Sequence, residues 1–273
     1  RIWAFSSFKN AEKFASALNV PKDDNRRLIC AAQEVLHIEL KRGSTVVPKD
    51  EFLIGLSKLL GKSIFIDAYN LVCALKDTLP LRILVQTCPF SSNETFALKG
   101  IAQMEAYVEQ QLKLRMESFV TPISVTDEMI ANYQMPDGHL LSQEQCRAVR
   151  AILNNPVTAI SGGGGTGKTS VLYAVNELIK EAGLGVVQVA LAGKASQRLI
   201  QQTKDHAYTI TSLLAKIKKE PKFLDSLECP VFHIDEASMV DIHTMYKVLV
   251  AFEGKPIRLN MVGDWAQLSP IGP

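Results

Sequence analysis

The run Gly162-Gly163-Gly164-Gly165-Thr166-Gly167-Lys168-Thr169 constrains this chain more than any other feature, because it matches G-x-x-x-x-G-K-[ST] between an apolar strand-like run and a helical pattern. A loop of this kind needs a strand to launch it and a helix to receive it. Glycines leave backbone N–H groups open to a phosphate chain, the lysine brings a cation to the outer phosphates, and the last hydroxyl can hold Mg²⁺. The residues from Gly162 to Gly167, with Lys168, Thr169 and the following Ser170, are therefore the expected nucleotide contacts, and Thr169 is also an expected metal ligand. The flanking pattern argues against a Gly-rich turn that matches by chance.

The sequence around the loop follows one grammar. After a helix that starts near Ser142, short apolar strands (157–160, 186–191, 231–234 and 257–262) alternate with helical segments, which predicts an α/β domain built on a parallel sheet with helices on both faces. One of these strands ends in Asp235-Glu236. At a strand's C-terminal end, Asp235 can hold Mg²⁺ through water and Glu236 can orient or deprotonate a water that attacks the γ-phosphate. Alone, two adjacent acids read as a solvated helix start; behind such a loop they read as chemistry. The last strand runs into Gly263-Asp264-Trp265-Ala266-Gln267-Leu268, where Gln267 could sense the γ-phosphate, although in isolation the segment reads as an ordinary turn. Trp265 reads either as a base-stacking ring or as packing, and His233 as a histidine of the sheet interior.

Upstream the apolar spacing is mostly helical. Asn10 can cap a helix whose apolar face is Ala11, Phe14, Ala15 and Leu18; a second helix follows Asp24, and a third has Pro48 in its first turn and ends at Gly61. Two β-prone stretches, 82–87 and 96–98, flank Cys88 to Asn93 and predict a hairpin that could form a wing. Ile101, Met104, Val108, Leu112, Met116 and Phe119 then mark a long amphipathic helix that ends at Thr121-Pro122. The polar, Pro- and Gly-containing stretch 124–140 reads as a linker, which divides the chain into a mainly helical domain at 1–123 and a nucleotide-binding domain at 141–273.

Thirty basic and 28 acidic residues give a net charge of +2, too little for whole-molecule attraction to a polyanion. Nucleic-acid contact would need a local surface, and Lys216, Lys218, Lys219 and Lys222 read either as one or as a solvated face. The five cysteines are odd in number and contain no C-x-x-C, which argues against a disulfide framework or structural zinc and predicts a reducing, intracellular setting. No apolar run approaches a membrane helix, so no membrane partner is expected. Because the chain begins at Arg1 and stops after a turn-like segment, a piece of a longer protein is expected.

Together these segments resemble motifs I, II and III of superfamily 1 helicases, and specifically the RecD-like branch with its D-E-A-S-M-V-D (here Asp235 to Asp241) and G-D-x-x-Q-L (here Gly263 to Leu268). Leu141 to Gln145 resembles the Q-type motif, in which Gln145 would read the adenine edge; Ser142 and Gln145 equally fit a capping box. Ala190 to Ala195 and Ala207 to Leu213 resemble motifs Ia and Ib, which implies that Lys194, Thr209, Thr211 and Ser212 line a single-strand channel. Phe8 to Ala15 and Asp23 to Arg27 resemble the helical N-terminal domain of that branch.

The resemblance implies a RecA-like fold, ATP and Mg²⁺ as ligands, and Lys168, Glu236 and Gln267 as catalytic residues. It further implies 5′ to 3′ translocation on single-stranded DNA, unwinding at duplex junctions, a cytoplasmic location and a recombination or repair nuclease complex as partner. A second RecA-like domain carrying the completing arginines is expected after this segment, so residues 1–273 alone should bind nucleotide but hydrolyse it poorly. Some positions depart from the pattern: Gly164 replaces a proline, Leu191-Ala192 replaces Pro-Thr, Thr211-Ser212 replaces His-Arg, and Ala266 and Ser269 replace an acid and a proline. The alternative from another class is a P-loop ATPase that does not unwind DNA and acts as a nucleotide-dependent switch or scaffold.

Overall fold

In the first half of the chain, caps and apolar spacing set the helices. α1 (Phe8–Ala17) precedes α2 (Asn25–Lys41), whose N-cap Asp24 accepts from the Arg26 N–H at 2.9 Å. β1 (Val46–Pro48) runs directly into α3 (Lys49–Leu60), with Pro48 as N-cap and Asp50 and Glu51 favourably placed in its first turn. α4 (Phe65–Ala74) leads to β2 (Ile83–Thr87) and β3 (Glu94–Leu98), which pair antiparallel, and the Cys88 N–H donates to the Asn93 carbonyl at 2.8 Å to close the base of their loop. The computed structural model describes residues 8–76, 82–88, 93–118, 123–225, 231–264 and 266, so the tip of the expected hairpin and the expected helix stop at Thr121-Pro122 lie outside them.

That hairpin is part of a sheet of order β1-β3-β2. Its buried face carries Ile83 and Phe96, which join Leu28, Val35, Phe52 and Val72 from the helices in one core. Phe52 stacks on Phe96 with centroids 4.1 Å apart. α1 contributes through Phe8, Ala11 and Ala15, whereas Phe14 and Leu18 of the expected apolar face are 62% and 74% exposed. The buried stripe thus runs through the small residues and passes to one side of the large ones.

α5 (Lys99–Glu117) continues the chain into a second unit that begins at Tyr107. The domain boundary expected near residue 123 therefore falls inside this helix, because Val108 and Arg115 are buried among second-unit residues. The expected linker 124–140 is not a bare tether either. It carries α6 (Asp127–Ala131) and buries Ile130 and Met135 beside α7 (Gln143–Asn154) and the helix after the glycine-rich loop.

The remaining elements alternate as expected: β4 (Val157–Ser161), α8 (Lys168–Glu181), β5 (Val186–Ala190), α9 (Gly193–Thr203), β6 (Ala207–Thr209), α10 (Ile210–Lys219), β7 (Val231–Asp235), α11 (Ile242–Ala251) and β8 (Arg258–Gly263). The five strands are parallel in the order β4-β8-β7-β5-β6. Alternation sorts their side chains. Val187, Val189, Phe232, Ile234 and Leu259 pack against Val108 of α5, α10 and α11, while Val231 and Val262 face the α7, α8 and α9 side.

This second face also carries a buried polar row, in which Thr158, Asn260, His233 and Gln188 occupy matching register positions across β4, β8, β7 and β5. Asn260 Nδ2 lies 2.8 Å from His233 Nδ1, and Gln188 Nε2 donates to Thr203 Oγ1 at 3.0 Å. Burial pushes the His233 imidazole down to about 3, so it is neutral at physiological pH, in keeping with its reading as an interior residue. Among the described residues no helix is long and apolar enough to cross a membrane.

Candidate active site

β4 ends at Ser161, and the loop that follows returns through Gly167, whose left-handed backbone (φ 82°, ψ 25°) caps α8. A side chain at Gly167 would be strained and would also run into the Gln145 amide. The Gly162 N–H donates to the Gly263 carbonyl at 3.2 Å, which ties the start of the loop to the end of β8. Thr166 Oγ1 donates to the Gly163 carbonyl at 2.9 Å, and the Lys168 ammonium reaches the carbonyls of Gly162 and Gly163. Added Cβ atoms at Gly163, Gly164 and Gly165 would meet nothing within 4 Å, so the cradle these residues form is open. Thr169 and Ser170 follow in the first turn of α8, where unpaired N–H groups and the helix dipole favour an anion.

Gln145 satisfies the capping box: Ser142 N–H donates to its Oε1 at 2.9 Å, and its own N–H donates to Ser142 Oγ at 3.2 Å. The same side chain presses its amide nitrogen toward Gly167. Capping and proximity to the phosphate loop thus coincide in one residue.

The acidic pair sits at the same edge of the sheet. With β8 between β4 and β7, the loop and Asp235 are two strand spacings apart, about 10 Å. Burial raises the Asp235 carboxyl above the usual carboxylate range, and the neighbouring Glu236 charge adds to this; the Glu236 N–H and the charges of Lys168 and Arg198 pull it back. Glu236 has a left-handed backbone, φ 54° and ψ 36°, and opens a short 3-10 turn over Ala237–Met239. That turn packs closely on β8: a Cβ on Gly263 would come within 3.1 Å of the Ser238 backbone nitrogen. Asp264 is buried and accepts from the Ala266 N–H at 3.0 Å, while Trp265 and Gln267 lie outside the described residues.

Thr169 and Asp235 present hard oxygen donors, the chemistry that suits Mg²⁺. The expected DNA-facing residues gather at the other end of the same sheet edge, where Ala190 of β5 is in register with Thr209 of β6. Lys194 is exposed in the first turn of α9. Thr209 caps α10 by accepting from the Ser212 N–H at 3.0 Å, Ser212 Oγ donates back to the Thr209 carbonyl at 2.9 Å, and Thr211 is exposed. The Lys216 ammonium lies 4.4 Å from the Phe223 ring centroid and 5.4 Å from that of Tyr208, so aromatic rings hold this member of the lysine cluster. One feature escapes a reading of motifs: Arg198, four positions after Lys194, is close enough to influence Asp235.

A family model for an AAA domain matches residues 140–273. The ATP-dependent RecD2 DNA helicase of Deinococcus radiodurans is 26% identical over 97% of this chain and 38% of its own length. The RecBCD enzyme subunit RecD of Buchnera aphidicola is 36% identical over 45% of this chain and 24% of its own, and the conjugal transfer protein TraA of Agrobacterium fabrum is 35% identical over 48% and 12%. This chain spans only 12% to 38% of the length of such curated relatives. A domain match covering the loop, the acidic pair and all five parallel strands, joined to similarity that extends through the helical first unit, supports reading this chain as a fragment similar to RecD-like superfamily 1 helicases.

Proposed function

We propose that this chain forms the helical N-terminal domain and first RecA-like domain of an ATP-driven DNA translocase that moves 5′ to 3′ on single-stranded DNA and unwinds duplex junctions. The observation that carries the reading is the sheet order, which sets the open phosphate loop and the Asp235-Glu236 pair at one edge with a single strand between them. Lys168 binds the outer phosphates, and Thr169 with Asp235 holds Mg²⁺, which when bound neutralises phosphate charge. Glu236 accepts a proton from the attacking water at its carboxylate, and Gln267 contacts the γ-phosphate. Lys194, Thr209, Thr211 and Ser212 meet the DNA backbone, and a second RecA-like domain supplies the opposing wall with its arginines. The relatives named as a DNA helicase and as a RecBCD enzyme subunit support DNA as the substrate and a multi-subunit enzyme as a partner; a recombination or repair nuclease complex and a cytoplasmic setting are part of the same proposal.

The test is ATP hydrolysis by the full-length protein with and without single-stranded DNA, beside Lys168→Ala. DNA should stimulate the wild-type rate, and the variant should lose about 10²-fold or more. A rate indifferent to DNA would point to a nucleotide-dependent switch, and an unaffected Lys168→Ala would remove the phosphate-loop assignment. Strand separation on 5′-tailed against 3′-tailed duplexes reads the polarity.

A further inference from the structure

α9 and β6 carry two of the stretches expected to meet DNA, with Lys194 at the start of the helix and Thr209 at the end of the strand. The turn that joins them is fastened to α8 at a single carboxylate. Asn176 Nδ2 of α8 donates to Asp205 Oδ2 at 2.9 Å, and the Lys180 ammonium, one turn further along the same helix, pairs with Asp205 Oδ1. Among the described residues no other side-chain hydrogen bond or ion pair joins α8 to residues 193–209. Leu172 of α8, Leu199 of α9 and Ala207 of β6 also meet, with Val262 of β8, in a small buried cluster, but apolar contacts alone let packed elements slide. We propose that Asp205 is a positioning residue that locks the α9–β6 turn to α8, so that DNA at Lys194 and Thr209 and nucleotide phosphates at the first turn of α8 act on one rigid piece. The proposal rests on the translocase reading above.

The turn is built to hold that carboxylate still. Lys204 ends α9 with a left-handed backbone, φ 58° and ψ 13°, and the chain reverses there to bring Asp205 against the flank of α8. Thr203 secures the other side: its Oγ1 donates to the Leu199 carbonyl at 2.8 Å and accepts from Gln188 Nε2 at 3.0 Å and from the Asp205 N–H at 3.4 Å. The turn is thereby tied to β5 as well. Asn176 is fully buried and its Oδ1 has no partner, so the amide is left half satisfied to make its bond to Asp205. An apolar residue of similar shape would pack there without that cost, so stability is a poor account of Asn176. Thr169 lies about two turns before Asn176 on the same helix, about 10 Å along its axis, and a shift held at one position is delivered at the other.

The test is linkage in the full-length protein: affinity for a Mg-bound, non-hydrolysable ATP analogue, with and without a saturating single-stranded oligonucleotide. In wild type the oligonucleotide should change that affinity by about tenfold. Asp205→Ala and Asn176→Leu should each bring the factor to about twofold or less, while affinities for the analogue alone and the oligonucleotide alone stay within about twofold of wild type. A general loosening of the fold would move the separate affinities too. The double variant should lose no more coupling than either single one, because both remove the same link. Lys180→Ala takes away the outer bond from a side chain that is 44% exposed, so it tests the link even where the buried variants fail to fold, and it should lower the factor in the same direction. The proposal is overturned if the folded variants keep the wild-type factor, or if the separate affinities fall and the factor does not. A wild type whose analogue affinity is indifferent to DNA would overturn the translocase reading itself, whereas wild-type coupling that survives in every variant removes only the role of Asp205.

Discussion

Glu236 combines a demand of chemistry with a strain of the backbone. Its φ of 54° and ψ of 36° lie in the left-handed region, which costs a residue with a side chain about 1 to 2 kcal/mol, and it adjoins a buried carboxyl at Asp235. Because burial holds the Asp235 carboxyl above its ordinary range in the fold, the folded state binds the proton more tightly, and the stability this group lends falls as pH rises through that range. Two substitutions at the neighbouring position separate the chemical from the conformational part. Glu236→Gln should keep nucleotide binding and lose hydrolysis by about 10² to 10⁴-fold in single-turnover measurements on the full-length protein. Glu236→Gly should lose hydrolysis as well yet unfold at a higher midpoint, worth about 1 kcal/mol. If the glycine variant is the less stable of the two, the carboxylate side chain supports the fold and the strain argument fails. Two acids at the end of an apolar strand were legible in the sequence, but the left-handed turn was not, because neither Gly nor Asn stands there to announce it.

Among the elements, α11 depends on a residue far from it in the chain. A helix ends with carbonyls that lack intrahelical partners; here the buried Arg115 of α5 donates to the Phe252 carbonyl and, at 3.2 Å, to the Lys255 carbonyl in the turn that leads to β8. Tyr107 adds an edge contact to Tyr246 with centroids 5.0 Å apart. Arg115→Ala should destabilise the second unit by about 2 to 4 kcal/mol in denaturant unfolding, and Arg115→Lys should recover little, since a single ammonium nitrogen cannot occupy both positions from which the guanidinium Nη1 and Nη2 donate. Full recovery by lysine would mean that the charge alone matters. The α5 period was legible, but its buried residues were not: Met116 of the expected apolar face is 64% exposed while Arg115 is buried. The four long parallel strands announced themselves as apolar runs. β1 and β6, three residues each, are too short for a period to register, and α4 has Ile64 as its N-cap with no side-chain cap bond, so nothing marked its beginning.

For the whole molecule, the consequence lies in where the chain can be cut. A polar composition made residues 124–140 look like a spacer, yet Ile123, Ile130, Met135 and Leu141 recur through that region as buried anchors, too widely spaced to form a recognisable period. A fragment that starts at Tyr107 should therefore fold cooperatively, whereas one that starts at Leu141, lacking Val108, Arg115 and three of these anchors, should show a broad transition with exposed apolar surface by dye binding. Equal midpoints and cooperativity for the two fragments would show that the upstream segment is dispensable. The polar row across β4, β8, β7 and β5 acts at this scale too. Apolar strands are nearly interchangeable to one another, and a slip by one residue turns each inward side chain to the opposite face. A slip of β7 would turn His233 from its amide neighbours toward the Phe252 side and bring Phe232 or Ile234 into line with Gln188 and Asn260. The row therefore works as an address label, telling each strand which neighbour to join and at what height, and so sets where the two acids meet the edge of the sheet.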